Sequence, residues 1–129
     1  MNKKQIPQPT DSELEILQLL WQNGESTVRQ INDLLNKVRE VGYTTTLKLM
    51  QIMLEKKLVV RNANQRTHIY SASVTEGDTQ KKLLERFVDA TFRGSSLKLV
   101  MQALGNHDST QEELEEIKEL IKQIENKKK

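Results

Sequence analysis

Residues 42–70, GYTTTLKLMQIMLEKKLVVRNANQRTHIY, constrain the fold more than any other stretch. The first half has helical periodicity. At about 100° per residue, Thr44, Lys48, Gln51 and Glu55 fall on one polar stripe. Thr46, Leu49, Met50 and Met53 form the opposite, buried face, with Leu47, Ile52 and Leu54 on the flanks. The second half reads as a hairpin: residues 58–61 and 67–70 are β-prone and flank the polar stretch 62–66. A helix with an apolar body and one narrow polar ridge suits a major groove, where Lys matches guanine O6/N7 and Gln matches adenine N6/N7. Any solvated helix can carry such a stripe; the hairpin beside it makes a DNA-reading helix with a wing the stronger reading.

Two shorter helices are predicted upstream. Thr10 or Ser12 caps the first, each with a glutamate three residues on, and Asn23-Gly24 ends it. Its apolar side is Leu14, Ile16, Leu17, Leu20 and Trp21, the tryptophan being a packing residue at the helix end. The second begins near Ser26 or Thr27 and reaches about Lys37, with Val28, Ile31, Leu34 and Leu35 at helical spacing. Residues 38–42 connect it to the third helix, capped by Tyr43 or Thr44. Three short helices with compact links make a helix-turn-helix, and the hairpin makes it winged.

The net charge of +2 is unevenly placed. Between Lys37 and His68 stand Lys37, Arg39, Lys48, Lys56, Lys57, Arg61 and Arg66 against only Glu40 and Glu55. That excess fits phosphate binding. On the ridge, Thr44 and Thr45 are candidates for a backbone phosphate, Lys48 and Gln51 for base edges, and Leu47 for a thymine methyl. Arg39, Arg61 and Arg66 are candidate contacts to the DNA backbone or minor groove, Arg66 near the wing tip foremost. Enzyme chemistry finds no footing: His68 and His107 have no nucleophile or metal-ligand partner at useful spacing, and no glycine-rich phosphate loop occurs. No catalytic residue, metal or cofactor is expected. The chain has no cysteine, which fits a reducing, cytoplasmic setting. The start, MNKKQIPQPTDSE, lacks the apolar region of a secretory signal, and no run is long enough for membrane insertion.

Residues 1–9, with Pro7 and Pro9, are expected to form a disordered tail, 10–73 the winged helix, and 74–129 a helical dimerisation domain. The last holds three helical stretches, 75–92, 95–104 and 109–126, separated by Arg93-Gly94 and Gly105-Asn106. Leu83, Phe87 and Phe92 stripe the first, and Leu97, Met101 and Leu104 the second. Leu114, Ile117, Ile121 and Ile124 form a seam of coiled-coil-like spacing in the third. Such helices cannot seal a core alone, so a homodimer is the economical solution. The acids opening the last helix and the lysines closing it complement its dipole. The fold class is thus mainly α with a small β hairpin: an N-terminal winged helix-turn-helix and a C-terminal helical dimerisation region.

From about Thr10 to Asn126 the chain resembles the penicillinase-repressor family of bacterial winged-helix regulators (BlaI/MecI type). Glu13-Leu14-Glu15-Ile16-Leu17 with Trp21, Tyr43-Thr44-Thr45-Thr46, Lys56-Lys57-Leu58-Val59, Arg66 and Tyr70 carry the resemblance, in order and spacing. It implies a homodimer whose C-terminal helices interlock and whose winged helices each occupy half of a roughly palindromic operator in double-stranded DNA. It also implies repression, often of β-lactam-resistance genes, relieved when a membrane sensor-protease cuts the C-terminal region. The pattern departs in places: the family usually has glycine at Lys57 and commonly arginine at Ile52. The Asn-Phe bond cut in β-lactam-linked members aligns with Val100-Met101. Copper-responsive relatives carry C-terminal cysteines, absent here. Two other readings stay open: a ligand-sensing winged-helix repressor without proteolysis, and a winged helix used only for protein–protein contact.

Overall fold

A computed structural model describes residues 7–64, 66–106 and 108–128. Most of the expected tail, Gln65 in the wing and His107 lie outside the described residues. The elements run α1 (Asp11–Asn23), α2 (Val28–Leu35), α3 (Tyr43–Glu55), β1 (Val59–Asn62), β2 (Ile69–Ala72), α4 (Glu76–Phe92), α5 (Ser96–Asn106) and α6 (Gln111–Lys127). Contacts divide the chain into two compact units that meet within α4, between Leu84 and Glu85.

In the first unit α1, α2 and α3 pack on one another, β1 rests on α3 and β2 on α1. The core is Ile16, Leu17 and Leu20 of α1, Val28, Ile31 and Leu35 of α2, Met50 and Met53 of α3, and Leu58, Val59 and Tyr70 of the hairpin. Each helical set keeps to spacings of one, three or four residues, so one stripe per helix faces inward. Thr10 caps α1 and Thr27 caps α2, each in a reciprocal box with Glu13 or Gln30. Gly24, at φ 83°, ends α1 in the left-handed region that favours glycine.

Several boundaries move from those read in the sequence. The second helix stops at Leu35, two residues short of Lys37, because the Asn36 side chain turns to the backbone of Val41, donating to its C=O at 2.8 Å and accepting from its N–H at 3.0 Å. The N-cap of α3 is Gly42, not Tyr43 or Thr44; its extended backbone places its C=O to accept from Thr46 N–H at 3.2 Å. The second strand starts at Ile69, leaving Thr67 and His68 in the loop. Tyr70 fixes that register: it pairs with Arg61 across the hairpin and exchanges both backbone bonds with Ser26, at 2.8 and 2.9 Å. Leu58 is not in β1, since its N–H closes α3 onto Met53 C=O at 2.9 Å. Lys57 precedes it at φ 67°, in the left-handed position a helix end usually gives to glycine. Gly105 and Asn106, read as a break, continue α5 instead.

At the crossing of α2 and α3 lies a small buried polar cluster. The Asn32 amide donates to Thr46 Oγ1 at 2.9 Å and to Val41 C=O at 3.1 Å, while Asn36 donates to Asn32 C=O at 2.8 Å. Thr46 is fully buried and Asn32 is 6 % exposed. Among the described residues no buried side-chain polar atom lacks a partner. The second unit differs: α5 and α6 bury none of their residues, and Leu97, Met101, Ile121 and Ile124 stand exposed. Among the described residues no helix is long and apolar enough to cross a membrane.

Replacing Thr46 with valine keeps the shape but removes one acceptor of the Asn32 amide. The variant should lose about 1 kcal/mol, and Asn32→Ala about 2–3 kcal/mol. Urea unfolding of both, with slopes unchanged from the parent, is the check; a Thr46→Val midpoint equal to the parent's would mean the bond contributes nothing.

Candidate nucleic-acid interface

The polar ridge lies where its periodicity puts it. Thr44, Lys48, Gln51 and Glu55 are exposed along α3, while Thr46, Met50 and Met53 are buried on the other side. Leu49, Leu47, Ile52 and Leu54 are half-buried. Thr45 is exposed in the first turn, beside Thr44. Gly42 offers no side chain to that turn, so among the described residues no N-cap side chain takes up the first N–H groups of α3. The ridge therefore combines open amides and hydroxyls at one end with an ammonium and a carboxamide at its middle.

Electrostatics sorts the basic residues into two groups. Lys56, just past the end of α3, places Nζ 2.6 Å from Glu13 Oε1 and donates to Gln8 C=O at 3.2 Å. Burial pushes the Glu13 carboxyl up; the Lys56 ammonium and the Thr10 N–H and hydroxyl outweigh it and hold the carboxyl below its usual value. Arg39, in the α2–α3 link, was expected near the DNA backbone, but its Nη1 sits 2.6 Å from Glu15 Oε2 on α1. The hydrogen bond from Arg39 and its charge lower the Glu15 pKa, and Glu15 raises that of Arg39. Two carboxylates of α1 thus occupy the cations on either side of α3. Among the described residues no ion pair involves Lys37, Lys48, Lys57, Arg61 or Arg66, and all five side chains are exposed.

The wing brings Arg61 to β1 and Arg66 to the loop beyond it. Leu47, expected to reach a thymine methyl, is half-buried, packs partly against the core and lines a cleft facing the wing. Three features escaped the sequence reading. The Arg29 guanidinium lies 4.8 Å over the Tyr43 ring, joining the starts of α2 and α3. The Asn32 cluster had one signal available, an amide on the stripe of Val28, Ile31 and Leu35. Glu13 had the same signal, a carboxylate in step with Ile16, Leu17 and Leu20. Among the described residues no group of histidine and acidic side chains could hold a metal ion.

The depressed Glu13 carboxyl sets a sign for acid stability. Its contribution is complete above the ordinary value of 4.5 and is lost as pH falls through the lower folded value. Stability of the parent should decline below about pH 4.5, and Glu13→Gln should flatten that decline; Lys56→Met should cost about 2 kcal/mol at neutral pH. Urea titrations across the acid range read both effects.

Comparisons with known proteins identify the family. The family model described as penicillinase repressor matches residues 9–123. The penicillinase repressor of Bacillus licheniformis is 22% identical over 126 residues, covering 98% of this chain and 98% of that protein. The methicillin resistance regulatory protein MecI of Mammaliicoccus sciuri is 20% identical over 112 residues, covering 87% of this chain and 91% of its own. The solution structure of Bacillus licheniformis BlaI, a monomeric form in complex with the blaP half-operator, superposes with a TM-score of 0.51 at 22% identity, over 59% of this chain and 93% of that one. With a family model spanning nearly its whole length, the chain belongs to the penicillinase repressor family of DNA-binding transcriptional repressors and is not an enzyme.

Proposed function

We propose that the protein represses transcription as a homodimer, each winged helix reading half of a roughly palindromic operator. The observation that carries this is the ridge of α3: Thr44, Lys48 and Gln51 exposed in line, beside a wing whose Arg61 and Arg66 have no acidic partner among the described residues. Lys48 and Gln51 read base edges, Thr44 and Thr45 hold a phosphate at the helix start, and the wing arginines hold the flanking backbone. Arg39 acts from behind, bracing the link to α1 through Glu15. The relative solved with a half-operator supports one half-site per winged helix.

Dimerisation rests on the second unit. Phe87, Leu97, Met101, Leu104, Leu114, Ile121 and Ile124 are exposed, and Leu83, Phe92 and Ile117 only half-buried. Apolar surface on that scale needs a cover, and a second copy supplies identical stripes by symmetry. The names of the relatives, penicillinase and methicillin resistance, support control of resistance genes. Relief by a membrane sensor-protease would act on Val100-Met101, an exposed pair inside α5. A bond held in a helix reaches a protease only when that turn opens, so cleavage here needs local unfolding of α5.

Selection of bound sequences from a random duplex pool, followed by titration, tests the reading. Lys48→Ala should weaken operator binding and change preference at one base pair by about 1–3 kcal/mol. Arg66→Ala should weaken all sequences alike and lower the slope of log K against log salt by about one. A chain that binds no duplex in a salt-dependent way, or a Lys48→Ala variant with unchanged selectivity, would overturn it. Ile121→Asp should yield monomers by sedimentation and reduce affinity for the full operator more than for a half-site.

A further inference from the structure

Beside the ridge lies an open cleft of about 180 Å³ between the start of α2, the start of α3 and the wing. Arg29, Arg66 and His68 line it with the hydroxyl of Thr27, and Leu47 and Tyr70 contribute apolar wall. Among the described residues no acidic side chain lines it. A cleft with two guanidinium groups and no carboxylate suits an anion, and guanidinium favours phosphate oxygens through paired N–H donors.

The cleft is also preset. Arg29 lies over the Tyr43 ring at 4.8 Å. Stacking that face leaves the N–H edge free to bond in the plane, and fixes the side chain before a ligand arrives. Thr27 is engaged on one side only: its Oγ1 accepts from Gln30 N–H at 3.1 Å and its own N–H donates to Gln30 Oε1 at 2.8 Å. The hydroxyl hydrogen remains to donate.

Position selects the ligand. Tyr43 and Leu47, one turn apart, border the cleft, and the next stripe round the helix is Thr44 and Lys48. An anion in the cleft therefore lies alongside whatever the ridge enters. We propose that the cleft is a seat for one phosphodiester of the operator backbone, gripped by Arg29 with Arg66 opposite and Thr27 beneath. Arg29 then sets the register of the recognition helix along the groove, and Tyr43 is its positioning residue. This rests on the ridge reading DNA.

Fluorescence anisotropy of the full-length chain with its selected duplex, at several salt concentrations, tests the seat. Arg29→Ala should weaken binding about tenfold and lower the salt slope by about one. Arg29→Lys should restore the slope but only part of the affinity. Tyr43→Phe should bind as the parent does, while Tyr43→Ala should weaken binding, with less than additive loss when combined with Arg29→Ala. Lys127→Ala, a control for net charge, should leave the slope unchanged. Replacing chloride with inorganic phosphate at equal ionic strength should change affinity less than twofold. An Arg29→Ala variant that keeps the parent's duplex affinity in chloride but loses its response to inorganic phosphate would assign the cleft to a free anion and overturn the proposal. Unchanged affinity and slope in Arg29→Ala, with Lys48→Ala still impaired, would refute the seat and leave the ridge reading standing. Loss of salt-dependent duplex binding in the parent itself would remove both.

Discussion

The bond from the Asn32 amide to the Thr46 hydroxyl is the constraint on which the orientation of α3 depends. It is buried, at 2.9 Å, where α2 crosses α3. Apolar packing alone would hold the two helices together but leave rotation about α3 loosely specified, because Met50 and Met53 are adaptable side chains. A buried amide is less forgiving: rotating α3 leaves a polar group unsatisfied, which costs more than the bond itself contributes. Asn32 also donates to Val41 C=O, and Asn36 donates to the same C=O and accepts from the Val41 N–H. The link and the first turns of α3 are therefore fixed as one piece, and the ridge opposite inherits that orientation.

Charge works to the same end from α1. Glu13 takes Lys56 just past the end of α3, and Glu15 takes Arg39 before its start. The two pairs differ in kind. Glu13 is 3 % exposed, and its carboxylate accepts from the Thr10 N–H as well as from Lys56, so it is well solvated by the protein. Arg39–Glu15 is an open surface pair, whose worth is small and falls with salt. Together they remove two cations from the basic stretch and leave the remainder to Lys48, the wing and the neighbourhood of Lys37 and Lys57. A basic count over 37–68 overstates the surface offered to a partner.

What the sequence made legible was whatever follows period and local chemistry. The α3 ridge, the capping threonines of α1 and α2, the winged-helix order and the apolar stripes of the C-terminal helices are all of that kind. For β2 a contact distant in sequence overrode a local preference, while the end of α2 and both ends of α3 are set by bonds within five residues. Thr67 and His68 are strand-prone, yet Ser26 fixes Tyr70 and with it the register of β2. Arg39 is basic beside a basic helix, yet Glu15 claims it. Gly105 is a poor helix former, yet α5 continues through it. At the site, the ridge was readable from one helix, whereas the Arg29–Tyr43 stack joins two helices and has no local trace. Asn32 and Glu13 were visible in principle, as polar residues in step with apolar ones.

The treatment of helix starts carries the last step. Thr10, Thr27 and Thr110 close capping boxes on α1, α2 and α6, and the hydroxyls of Thr75 and Ser95 accept from the first turns of α4 and α5. Gly42, at the start of α3, supplies no side chain. Glycine there costs only a few tenths of a kcal/mol relative to a capping hydroxyl, a loss the Asn32–Thr46 crossing easily outweighs. A capping hydroxyl would also occupy the amides that face outward and compete with any anion approaching them. The local rule is thus relaxed at the one helix whose first turn the proposed function needs open, and the stability given up there is made good by a polar cluster on the buried side of the same turn.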